Sequence, residues 1–213
     1  QGHSSDLVGL LERRIDASSQ PEERRELRMQ LASLHREGMK DRASEIDTLR
    51  ALLEEVPADD DAMAALARAY VAEERWADAA EIIRDRAMAA ENDERRAALL
   101  LEVARAYAGP IEDMFGAVQQ YEEVLGIVPG QDGAVGDLIN LSSHGEVSEA
   151  IEVVLRPQLE QLGRFEDLAQ VLRNRIGHVE DPVDKARRVE ELVELCNDRL
   201  SDAGAAYQST PPL

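Results

Sequence analysis

Aromatic residues make up only 3% of the 213-residue chain, and there is a single cysteine, Cys196. With so few aromatics the interior has to be built from Ala, Leu, Val and Ile, which suits helices packed closely against one another. One cysteine excludes an intrachain disulfide and leaves the redox compartment open. Lysine is nearly absent as well, with two Lys against 22 Arg. That bias, together with abundant Ala, points to a GC-rich and hence bacterial source. No run approaches 18 apolar residues, so the sequence contains no membrane-spanning helix. Positive charge is also short: the formal net charge is -20. A chain this acidic repels phosphate backbones and anionic lipid surfaces, which argues against nucleic acid and membrane partners. The expectation is a soluble protein, cytoplasmic, with export left open.

What remains is a folded composition, 44% hydrophobic and 32% charged. It is strongly repetitive. The pattern apolar–small–x–x–Tyr occurs as Leu66-Ala67-x-x-Tyr70 and again as Val103-Ala104-x-x-Tyr107. Degenerate copies are Leu31-Ala32-x-x-His35 and Leu192-Val193-x-x-Cys196. A second motif recurs out of phase with the first. "SDLVGLLERRI" (5–15) matches "EDLAQVLRNRI" (166–176), and "ADAAEIIRDRA" (77–87) is a looser copy. Within each, apolar residues such as Leu7, Leu10, Leu11 and Ile15 fall on one helical face. Sustained period-two alternation is missing. The periodicity and the capping signals predict helices at 5–18, 21–38, 42–55, 60–73, 76–90, 93–108, 113–127, 132–142, 146–162, 164–178 and 182–200, with a stub from 202.

These residues resemble the tetratricopeptide repeat (TPR) family, whose unit is a helix–turn–helix of about 34 residues. One unit supplies Leu66, Ala67, Tyr70, Ala79 and Ile83, and the next supplies Val103, Ala104, Tyr107, Ala117, Tyr121 and Pro129. The Trp that the family places early in its first helix is missing; Trp76 and Phe165 open second helices instead. The resemblance implies an all-α fold of the α-α superhelix class, a solenoid of stacked antiparallel helix pairs. Gln1–Ser4 reads as a tag remnant, and residues 5–213 read as a single repeat domain. The chain opens on a second helix and closes at the start of another, so a section of a longer array is expected. One irregularity interrupts the period. Val103 and Leu155 are 52 residues apart, 17 more than one unit, which predicts an extra unpaired helix near 131–145 that breaks the pairing register. Pro157 then falls inside the following helix, where a bend is expected.

No catalytic constellation emerges. His35 and Cys196 occupy the Tyr position of their repeats and read as packing residues. His144 and His178 fall in turns without ligands at metal spacing. Asp59-Asp60-Asp61 lacks the pattern of a calcium loop and reads as helix capping. No enzyme, metal or cofactor is therefore expected. The TPR resemblance implies that the first helix of each pair lines a concave wall where a protein or peptide binds. Carried over, that wall comprises Met29, Ser33, Arg36, Arg68, Val71, Leu101 and Arg105. The Lys and Asn set with which the family clamps a C-terminal carboxylate is absent. Arg36, Arg68 and Arg105 are instead expected to form a local positive strip for an acidic or amphipathic segment. Self-association and a purely structural role as a spacer remain alternatives.

Overall fold

The structure, a computed structural model, describes residues 2–200. The stub expected from 202 lies outside the described residues. Eleven α-helices follow one another: α1 (Gly2–Ala17), α2 (Pro21–Ser33), α3 (Arg42–Glu55), α4 (Asp60–Ala72), α5 (Trp76–Met88), α6 (Asp93–Ala108), α7 (Met114–Ile127), α8 (Asp132–Leu141), α9 (Ser148–Leu162), α10 (Phe165–Gly177) and α11 (Pro182–Leu195). Among the described residues there are no strands. Neighbouring helices pack in series, and the fold class is the all-α, α-α superhelix type that the sequence predicts. Packing divides the chain into two compact units, 1–106 and 107–213, with the division inside α6.

The helix starts are written in the sequence. Asp41, Asp59, Asp113 and Asp181 each accept the N–H of the residue three positions on, at 2.8 to 3.0 Å. Pro21 and Pro182 occupy first-turn positions, where a missing N–H costs nothing. The turn inside each pair closes in one recurring way. The carbonyl of the Tyr-position residue accepts the backbone N–H of the residue just before the second helix. The four pairs are Asp41 to His35 (2.9 Å), Arg75 to Tyr70 (2.9 Å), Asp113 to Tyr107 (2.9 Å) and Arg164 to Leu159 (2.8 Å). In each, the preceding residue is left-handed: Lys40, Glu74, Glu112 and Gly163 have φ between 56° and 68°. This is the αL closure of a helix C-terminus, and here it also starts the next helix. Glu74 continues α4 into Arg75, and Gly163 continues α9 into Arg164.

In the first unit, one core cluster joins α2 to α5 through Ala32, Leu49, Leu52, Leu66, Ala69, Tyr70 and Ala79. A second joins α1 and α2 through Leu11, Ile15, Leu27 and Leu31. His35 (7% exposed) and Cys196 (0%) are buried, as packing residues should be. Both lie in short π-helical turns, Leu34–Met39 and Cys196–Leu200, that prolong α2 and α11. The sequence reading predicted plain α-helix there.

In the second unit, α8 is the extra helix that the surplus residues predict, but it is not left unpaired. Asn174 of α10 donates to the Ile139 carbonyl (3.2 Å) and to Ser142 Oγ (2.7 Å). His178 Nε2 donates to the Ser143 carbonyl (2.8 Å), and Arg164 donates to the Gly130 carbonyl (3.1 Å). The three carbonyl links span 34 or 35 residues, so α8 stands one full repeat from α10 and the pairing register holds from α8 onward. Helix α9 runs unbroken through Pro157. The bond that Pro157 cannot make belongs to the carbonyl of Val153, which is 70% exposed, so water can take its place.

Gly130 tests the loop before α8. Its φ is +70°, and a Cβ there would run into Leu162 Cδ1. Gly126, inside α7, has nothing within 4 Å of a built Cβ. Gly130→Ala should lower the unfolding free energy by about 1–2 kcal/mol. Gly126→Ala should raise it by about 0.5–1 kcal/mol. Denaturant unfolding of the two variants checks the opposite signs.

Candidate functional site

Most of the chemistry-bearing side chains serve the scaffold. Asp59 caps Ala62 and holds the Arg25 guanidinium, which also reaches Asp61 (2.8 Å). Asp60 takes a bidentate contact from Arg86 at 2.8 and 3.1 Å. The three aspartates thus tie α4 to α2 and α5. His144 Nδ1 lies 3.2 Å from the Leu141 carbonyl. Among the described residues no group of His, Cys, Asp and Glu is arranged to hold a metal ion.

The residues expected on the wall fare differently from one another. Met29 is half-buried against the first core cluster. Ser33 is half-buried, with Arg36 Nη2 3.5 Å from its Oγ. Arg36 is engaged by Glu37 at 2.7 Å and Glu45 at 3.9 Å, so its charge is largely matched within the chain. Val71 is 37% exposed, but Leu101 is only 7% exposed and acts in packing rather than as open surface. Arg105 is exposed and has interactions of its own. Arg68 is exposed and, among the described residues, makes neither an ion pair nor a hydrogen bond. Of the three arginines expected to form the strip, Arg68 is the one whose guanidinium stays uncommitted. At the equivalent position of α9 the chain has Pro157, so the strip has no counterpart there.

Sequence reasoning missed a groove on the other helices. Arg50, Leu53 and Glu54 of α3 form one wall, and Asp78, Glu81, Ile82 and Asp85 of α5 form the other. Leu66 and Tyr70 of α4 form the floor of this cavity of about 470 Å³. The helical spacing explains the set: 50, 53 and 54 share one face of α3, and 78, 81, 82 and 85 share one face of α5. Asp78 is held by Arg75 (2.8 Å), whose guanidinium also lies over the Tyr70 ring, 4.4 Å from its centre. Glu54, Glu81 and Asp85 are exposed and, among the described residues, have no ion-pair partner. Tyr70 is 2% exposed and, among the described residues, its hydroxyl makes no hydrogen bond. By contrast the Tyr121 hydroxyl donates to Asp137 Oδ2 (3.2 Å).

The second unit offers a comparison. A smaller depression of about 200 Å³ is lined by Arg156, Glu160, Leu168, Leu172, Glu191 and their neighbours on α11. There the chain supplies its own cations. Arg156 reaches Glu152 (2.6 Å) and Glu191 (2.5 Å), and Arg188 reaches Glu152 (2.9 Å). No family model matches the chain, and no curated protein matches it in sequence.

The clearest electrostatic marker in the first unit is Glu55, at the end of α3. Arg28 (2.6 Å) and Arg24 (3.0 Å) of α2 both donate to it. These bonds bring its pKa down from 4.5 to about 2. A depressed carboxylate stabilises the fold above its unfolded pKa and loses that contribution as pH falls through the folded value. Glu55 is about a third exposed, so the effect belongs to the scale of a half-exposed pair, about 1 kcal/mol. The stability gap between the native chain and Glu55→Gln should be constant above about pH 5.5 and shrink steadily from pH 4.5 towards 2. Urea unfolding at a series of pH values measures it; a gap independent of pH would contradict the clamp.

Proposed function

We propose that the chain is a non-catalytic, TPR-like scaffold that binds a protein or peptide partner on the surface of its helix pairs. The observation that carries this reading is the groove between α3 and α5. Among the described residues, this groove has three carboxylates without an ion-pair partner and the Tyr70 hydroxyl without a hydrogen bond. Unmatched polar groups around a half-apolar trough are what a binding surface offers to a second molecule. The TPR-like reading is further supported by the helix–turn–helix closures at four Tyr positions and by links that recur at 34–36 residues.

A structural or self-associating role is the second reading. It is favoured by Leu7 (44% exposed) and Leu10 (49%), which lie one turn apart on α1. Light scattering over a range of concentrations separates the two: a monomer throughout removes self-association.

Selection of displayed peptides against the immobilised chain tests the scaffold. The expected result is enrichment of one sequence class whose binding saturates. The affinity of that class for two double variants assigns its surface. Loss in Arg68→Ala/Arg105→Ala points to the first-helix wall, and loss in Glu81→Gln/Asp85→Asn points to the groove. Each loss is expected at about two- to tenfold. No enrichment from any library would remove the scaffold reading.

A further inference from the structure

Resting on the scaffold reading, we infer that the α3–α5 groove takes an extended, basic peptide segment, with cationic side chains against α5 and an apolar side chain between Leu53 and Ile82. The charge distribution supports the cation. The α5 wall carries Asp78, Glu81 and Asp85, while the α3 wall carries Glu54 and Arg50. Arg75 already engages Asp78, so the unmatched carboxylates are Glu54, Glu81 and Asp85, opposed by Arg50 alone. The groove is therefore polarised, and a guest cation is drawn towards α5 and away from Arg50.

The floor adds an independent reason. The Tyr70 side chain lines the groove, almost wholly buried, with a hydroxyl that makes no hydrogen bond among the described residues. A donor from a bound segment can hydrogen-bond to it. The chain itself demonstrates the chemistry: in the depression of the second unit, Arg156 lies among Glu152, Glu160 and Glu191. In the groove of the first unit three carboxylates face one arginine, Arg50, and among the described residues it pairs with none of them.

The dimensions select the conformation of the guest. About 470 Å³ falls within the range of peptide and ligand sites. From Glu81 to Asp85 the helix rises about 6 Å, which two residues of extended chain also span, and side chains two apart share one face of such a chain. Two cations two residues apart therefore match the two unmatched carboxylates of the α5 wall.

The probe is a labelled peptide, Ser-Ser-Arg-Leu-Arg-Ser-Ser, with a counterpart in which Glu replaces both Arg. Fluorescence anisotropy is read at low and moderate salt, and thermal unfolding confirms that each variant is folded. The expected result is saturable, salt-sensitive binding of the Arg peptide and none of the Glu peptide. Glu81→Gln/Asp85→Asn should weaken it about five- to tenfold. Tyr70→Phe should weaken it about two- to fivefold, and Arg50→Ala should strengthen it about twofold. Two controls change net charge equally at exposed sites away from the groove: Glu12→Gln/Glu190→Gln and Arg13→Ala should leave affinity within about twofold. Equal losses in the groove and control variants would reduce the effect to bulk charge and overturn the inference. So would the absence of saturable binding. In either case the scaffold reading stands or falls separately, on the selected peptides and the surface they use.

Discussion

Everything in this fold depends on how closely two helices can approach. With almost no aromatic side chains to fill space, the interior relies on Ala at the crossings, and Ala32, Ala67, Ala69, Ala79 and Ala80 are all buried. Small residues bring backbones together and let Leu49, Leu52 and Leu66 interdigitate around them. Such a pair buries one face of each helix and leaves another uncovered, so the next pair must follow. Where the small residue is lost, the means of attachment changes. In α9 the residue aligned with Ala67 and Ala104 is Arg156, and helices α9 and α11 are joined by charge instead. Glu152 is 8% exposed there and is matched by both Arg156 and Arg188. Two guanidiniums on one carboxylate offset a desolvation that a single pair would not.

The turn within each pair shows the same economy. Its geometry is set by one backbone bond from the Tyr-position carbonyl, not by the identity of the turn residues. That is why Lys40, Glu74 and Glu112 stand in a left-handed conformation that glycine would adopt more easily. The strain is small, and the helix that starts immediately afterwards holds it in place. Two kinds of start are used. Asp41 and Asp113 cap through their own carboxylates, whereas Arg75 and Arg164 reach Asp78 and Asp167 on the first turn.

The helices were legible because their signals are local. Asp or Asn caps, first-turn prolines and a 3.6-residue apolar stripe all lie within a few residues of one another, and α4 and α6 begin where these signals place them. The burial of His35 and Cys196 was legible from their place in the repeat. The π-helical turns were not, since a shift of one residue in hydrogen-bond register leaves no mark in the pattern of apolar residues. Nor was the seat of α8, because it is fixed by side chains of α10 donating to main-chain carbonyls, and any sequence has carbonyls to offer. The groove was invisible for a related reason. Glu54 and Glu81 look like any other surface glutamates in an acidic chain. What sets them apart is the trough they line with Leu53, Ile82 and Tyr70, a relation between helices and not a property of a residue. The commitment of Arg36 to Glu45 escaped notice in the same way.

The links between successive repeats, such as those from Arg25 to Asp59 and from Asn174 to Ile139, reach across 34 to 36 residues. In each unit a residue therefore answers to its own repeat and to the adjoining one. A gene encoding such a chain can gain or lose a whole repeat by duplication or deletion without disturbing repeats two places away. It can also take in one extra helix, as it does with α8, and keep the register from there on. Divergence is then constrained by neighbours alone, and repeats of one chain can drift apart until little but the small residue and the aromatic remains in common.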